Sequence, residues 1–108
     1  FQSGSADLQN SFASTLSSVG NALGQTGGMI RVEGHTDNVP IAFSERFRSN
    51  WDLSSARSAS VANYLLDNTP VEPGRVTITG FADSKPIADN TTAEGRAQNR
   101  RIEVIVDG

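Results

Sequence analysis

Cysteine is absent from the 108 residues, which excludes disulfides and thiolate metal sites and leaves oxidising and reducing compartments both open. Histidine occurs once, at His35, so good zinc ligands are too few, and no H-E-x-x-H helix supplies them. A G-x-S-x-G elbow is also missing. No apolar run is long enough to span a bilayer, and no signal peptide is visible. Positive charge is in short supply: nine Lys plus Arg face twelve Asp plus Glu, for a net charge of −3. A nucleic-acid binder needs a basic face to release counterions, so that class is set aside. Lysine is nearly missing too. Lys85 stands alone beside eight arginines, and Arg brings a planar fork that grips carboxylates and phosphates through paired hydrogen bonds. Most of these arginines read as surface ion pairs.

What is present suits one compact domain over residues 1–108, with 36% hydrophobic residues and a modest core. The chain opens on Phe1 rather than Met, and we expect a fragment of a longer protein. Leu8, Phe12, Leu16, Val19 and Leu23 recur in steps of three and four, predicting a helix over 7–23 that ends at Gly24. "MIRVEGH" (29–35) alternates, with Ile30, Val32 and Gly34 on one side and Arg31, Glu33 and His35 on the other: a half-buried strand. A polar loop follows to about Ser49. Asn50 is the expected N-cap of a helix over 51–68, with Leu53, Ala56, Val61, Tyr64 and Leu65 inward and Pro70 and Pro73 stopping it. "RVTITGF" (75–81) and "RIEVIV" (101–106) read as strands, "TTAEGRAQNR" (91–100) as a short helix despite Gly95, and Phe1 to Ser3 as the stub of a first strand. The order β-α-β-α-β-α-β predicts an α/β (α+β sandwich) fold: a mixed four-stranded sheet with helices packed mainly on one face.

A short echo runs within the chain. "VEGHTDNVPI" (32–41) aligns with "ITGFADSKPI" (78–87), matching Gly34, Asp37, Pro40 and Ile41 to Gly80, Asp83, Pro86 and Ile87. Both segments close a strand. Gly admits another backbone, Asp starts a turn by accepting nearby N–H groups, and Pro stiffens the exit. On that ground Asp37 is a turn former.

Three chemistries compete at "GHTD". His35 and Asp37 share a face of an extended strand beside Glu33, a start for a metal site that lacks further ligands. His, Asp and many Ser residues evoke a hydrolase, but no Ser is marked as a nucleophile. The third is a site that grips without reacting. Arg57 lies about two turns into the second helix, on or beside its buried stripe, so its head is expected near the sheet. With Asp37 across from it, Arg57 is either half of a structural ion pair or half of a zwitterion receptor, with Arg57 as a carboxylate fork and Asp37 as an ammonium anchor. Spacing alone favours the structural pair. Arg96, Arg100 and Arg101 likewise read first as partners of acids such as Glu33 and Glu103 on neighbouring strands, and Asn99 as holding the helix-to-strand turn.

"GHTDNVPI", "SNWDLSSARSASVANYLL" and "GFADSKP…N…EGRAQNRRIEV", in that order, resemble the OmpA-like peptidoglycan-binding domain, and more narrowly the periplasmic domain of flagellar motor stator B subunits of the MotB/PomB type. The resemblance covers almost the whole chain. "NVPI", the longer loop and Trp51 favour the stator type over outer-membrane relatives, while Ser58 departs from the usual Ala. It implies a non-catalytic module that anchors a stator to the cell wall by gripping the diaminopimelate residue of a peptidoglycan stem. Asp37 would hold the ammonium and Arg57 the carboxylate. Thr36, Asn50, Leu53 and Ser54 would shape the pocket, and Arg100 would line the groove. No cofactor or metal is implied. The implied partners are peptidoglycan, a stator A subunit reached through a membrane segment outside this sequence, basal-body ring proteins and a second copy in a homodimer. The implied location is the periplasmic side of a bacterial inner membrane. An outer-membrane protein or lipoprotein anchor is the alternative, and a wall hydrolase using His35 the second.

Overall fold

The alternation in Met29–Gly34 builds the middle of the sheet in the computed structural model, which describes residues 10–25, 27–40 and 47–107. In chain order the elements are α1 (Asn10–Leu23), β1 (Met29–Gly34), α2 (Asn50–Asn68), a single 3-10 turn (Pro73–Arg75), β2 (Val76–Gly80), α3 (Ala93–Asn99) and β3 (Ile102–Asp107). Among the described residues the sheet has three strands in the order β2-β1-β3, with β1 parallel to β2 and antiparallel to β3. The expected strand at Phe1–Ser3 lies outside the described residues, so the sheet is mixed as expected but is seen with three strands rather than four.

Ile30 and Val32 are fully buried and meet Leu16 of α1, Val61 and Leu65 of α2, and Val71 in one core. Burying each such side chain contributes about 1.5–3 kcal/mol. Phe12, Leu23, Tyr64, Val76, Ile102 and Val104 pack around it. Val19, on the same stripe of α1, stays 38% exposed. Helix α2 lies on β1 and β2, and α1 lies on α2. The opposite face of the sheet is polar: Arg31 bridges Glu33 (3.1 Å) and Asp107 (2.9 Å), exposed pairs that add little stability.

Two glycines let α2 come down close to the sheet. A Cβ on Gly34 would collide with the Ser54 carbonyl, and one on Gly80 with the Ser54 and Ser55 hydroxyls. The helix is then pinned. The fully buried Ser58 hydroxyl reaches the Ser54 carbonyl (3.1 Å) and the Thr79 carbonyl (2.9 Å), so this side chain adds a helix-to-strand hydrogen bond that an alanine could not make. Gly95 answers a similar demand in α3, where a Cβ would strike the Asp89 backbone.

The N-cap of α2 is Ser49, not Asn50. Ser49 has extended backbone and its hydroxyl accepts from the Asp52 N–H, while its carbonyl receives the Leu53 N–H. Either residue type can cap. Asn50 becomes the first helical residue because its amide is drawn to the loop after β1: it donates to the carbonyls of Val39 (3.2 Å) and Asp37 (3.4 Å).

Candidate functional site

Three chain segments meet at the end of β1. The strand exits between its neighbours, and the ladder continues past Gly34 through side-by-side loop bonds. Phe81 N–H donates to the Gly34 carbonyl, His35 N–H to Arg101, and Thr36 N–H to Ala82, each at 2.9 Å. Ala82 adopts a left-handed backbone (φ 53°) and its N–H is held by the Ser54 hydroxyl at 3.0 Å, which offsets the roughly 1–2 kcal/mol that conformation costs a non-glycine residue. The GHTD corner is therefore fixed by backbone on both flanks before any side chain acts.

Asp37 is the centre of the site. It is 4% exposed, yet both carboxylate oxygens are occupied. Oδ1 accepts the Val39 N–H (3.0 Å), the turn-forming bond that its place in the echo predicts. Oδ2 accepts from Arg100 Nη1 at 2.8 Å. This corrects the expectation for Arg100, whose partner is neither Glu33 nor Glu103. Glu33 is held by Arg31, and Glu103 by Arg101 at 2.7 Å. The cause is the sheet order. Arg100 enters β3 on the side of β1 where Asp37 leaves, so these residues, 63 positions apart, become neighbours.

Arg57 lies behind this pair, fully buried, donating to the His35 carbonyl at 3.2 Å. Burial, then the Arg100 charge, push its pKa down to about 10, while Asp37 works in the opposite direction. It remains cationic at neutral pH. Asp37, Arg57 and Arg100 thus place two positive charges around one negative charge. One further donor is unused: Arg100 Nε is buried and has no hydrogen-bond partner. Such a group is costly to leave unmatched, and a spare guanidinium N–H beside a carboxylate–guanidinium pair is suited to a further carboxylate.

The other expected site residues divide by what they touch. Thr36 is buried and its hydroxyl donates to the Asp37 carbonyl (2.8 Å). Asn50 ties the loop to α2, as described. Leu53 packs with Phe47 in a small apolar cluster beside the corner. Ser54 faces inward, donating to the Trp51 carbonyl (3.1 Å) and holding Ala82. Arg96 donates to the Asn90 carbonyl. Among the described residues no group of three His, Asp or Glu side chains is placed to hold a metal ion.

His35 departs from its strand alternation. It was expected on the exposed side but is 2% exposed, because Phe81 from the next corner stacks on it (centroids 5.2 Å apart, planes 11°). Lys85 caps the Phe81 ring, 4.3 Å from its centroid. His35 Nε2 approaches Glu103 at 3.4 Å without completing a hydrogen bond. Burial foremost, then Arg101, lower its pKa below the usual 6.5, against Glu103 and Glu33. Phe81, Arg101 and Glu103 were not anticipated around this ring; the echo that aligns Phe81 with His35 was the available signal. Asn99, read as a turn holder, is fully buried and grips the 87–90 loop: Oδ1 accepts from Ile87 and Ala88, and Nδ2 donates to Ala88 and Asn90.

Residues 1–100 match the OmpA family. Motility protein B of Bacillus subtilis is 44% identical over 77 residues, 71% of this chain and 29% of that protein, which bears out the narrower likeness read from the motifs. Outer membrane porin F of Pseudomonas aeruginosa is 46% identical over 77 residues, 70% of this chain and 20% of that protein. Among solved structures, the cell wall anchor of the T6SS from Pseudomonas aeruginosa superposes with a TM-score of 0.87 at 44% identity, covering 98% of this chain and 73% of that one. The chain spans less than a third of the two curated relatives.

Proposed function

The chain belongs to the OmpA family, and on that premise we propose that it is a non-catalytic peptidoglycan-binding module that anchors a flagellar stator to the cell wall. Asp37 takes the ammonium of a diaminopimelate residue, and the guanidinium groups of Arg57 and Arg100 take the adjacent carboxylate. Thr36, Asn50, Leu53 and Ser54 set the shape and rigidity of the corner. The observation that carries this reading is the charge cluster: one carboxylate flanked by two guanidinium groups, with a buried Arg100 N–H left without an acceptor. A zwitterion supplies both complements. A hydrolase using His35 is disfavoured because that histidine is stacked on Phe81 and enclosed. Single sites of a few charge-assisted bonds bind weakly, and a dimer facing a polymeric wall gains by effective concentration, on the order of 10²-fold. In this reading the domain lies in the periplasm, dimeric, joined through a membrane segment to a stator A subunit and within reach of basal-body ring proteins.

Co-sedimentation with insoluble peptidoglycan tests it. Asp37→Asn, nearly isosteric, is expected to stay in the supernatant with native circular dichroism. Asp83→Asn, the exposed counterpart in the echo, is expected to sediment like wild type, and salt is expected to release the wild-type domain. Equal sedimentation of both variants defeats the assignment. Release of soluble fragments that depends on His35 would instead mark a hydrolase. A second reading, an outer-membrane or lipoprotein wall anchor, is favoured by the 46% identity to porin F. The residues upstream decide: one inner-membrane helix supports the stator, and a barrel or lipobox supports its rival.

A further inference from the structure

We propose that Arg100 is the specificity-determining residue of this site: it leaves Asp37 for the ligand's carboxylate, so the site selects an ammonium with a free carboxylate beside it and rejects the amidated form. The inference rests on the zwitterion reading above and says how that site chooses. Two observations demand a moving part. First, Arg57 is fully enclosed, and Asp37 has both carboxylate oxygens engaged, one of them by Arg100. A ligand ammonium therefore meets a carboxylate already neutralised by a guanidinium. Second, among Asp37, Arg57 and Arg100 it is Arg100 that is best placed to yield. Its side chain is 20% exposed against 6% for Asp37. It stands at the C-cap of α3, outside regular helix and strand, and its Nε has no partner to lose.

The exchange conserves ion pairs only for the right ligand. An amine alone displaces Arg100 from Asp37 and strands a partly buried guanidinium. An amine with an adjacent carboxylate gives that guanidinium a new, two-pronged partner that Nε and Nη can reach together. Departure of Arg100 also removes the charge that pushes hardest, after burial, against Arg57, and opens the way to it. Selectivity thus comes from a partly buried cation that is costly to leave unpaired.

The test is calorimetric titration of the 108-residue chain with two probes: a diaminopimelate-containing stem peptide with its free amino-acid end, and the same peptide with that carboxylate amidated. Wild type is expected to favour the free acid by about tenfold or more, the range for a hydrogen bond to a charged group. Arg100→Gln is expected to bring the ratio near one by weakening the acid without weakening the amide. Arg100→Lys, which keeps a cation for Asp37 but loses the fork, is expected to retain part of the preference and controls for folding, with thermal melts run alongside. Equal affinity of wild type for both probes, or Arg100→Gln weakening both by one factor, overturns the exchange while leaving the zwitterion site standing. If neither peptide binds wild type and Asp37→Asn still sediments with peptidoglycan, the site reading beneath it falls as well.

Discussion

The exits of β1 and β2 run side by side as matched segments. Gly34 pairs with Gly80, His35 stacks on Phe81, and Thr36 bonds to Ala82. One residue later they part. Asp37 turns into a buried meeting of arginines, and Asp83 faces solvent. The motif is nearly the same, so the motif does not make the site. Position in the sheet does. Strand β1 is central, so its exit is walled by the β2 corner on one side and by Arg100 and Arg101 on the other. Strand β2 is at the edge of the sheet among the described residues, and its corner has one such wall.

The contrast can be broken hardest at Arg57. Arg57→Ala empties a fully buried volume beside the first corner and orphans the His35 carbonyl, with an expected loss of about 3 kcal/mol or more in urea unfolding. A loss under about 1 kcal/mol would mean that the corner does not lean on this guanidinium. The glycines come next. Gly34→Ala drives a methyl against the backbone carbonyl of Ser54, and Gly80→Ala against the Ser55 hydroxyl first, then the engaged Ser54 hydroxyl and the Ser55 backbone nitrogen. Overpacking costs of about 3 and 2 kcal/mol are expected, in that order, and equal costs would show that α2 shifts as a whole. Smallest is the His35 effect. Its folded pKa is lowered, so the unfolded chain takes up the proton first, and stability falls as pH drops below about 6.5. His35→Phe, which copies the other corner, is expected to flatten the melting temperature between pH 7 and 5. An unchanged slope would assign the acid sensitivity to other groups.

Much of this was legible beforehand. Periodicity placed the described helices and strands to within a residue or three, and the paired glycines announced the close approach of another backbone. Local pattern could not see what folding brings from afar. Asp37 and Arg100 are joined by strand order, which no spacing in the chain encodes. His35 sits on the exposed side of its strand by alternation, and only the neighbouring corner buries it. At the start of α2 the sequence pointed to Asn50 as the cap, and Ser49 takes that place because the amide of Asn50 is held by the β1 loop.

The site draws on a strand exit, a helix middle and a strand entrance, so it exists only in the folded chain. Whatever occupies it therefore adds to the free energy of unfolding, by about 2.7 kcal/mol at a hundred times the dissociation constant. A domain with this corner occupied is harder to unravel or digest than one with it empty, and occupancy and durability rise and fall together.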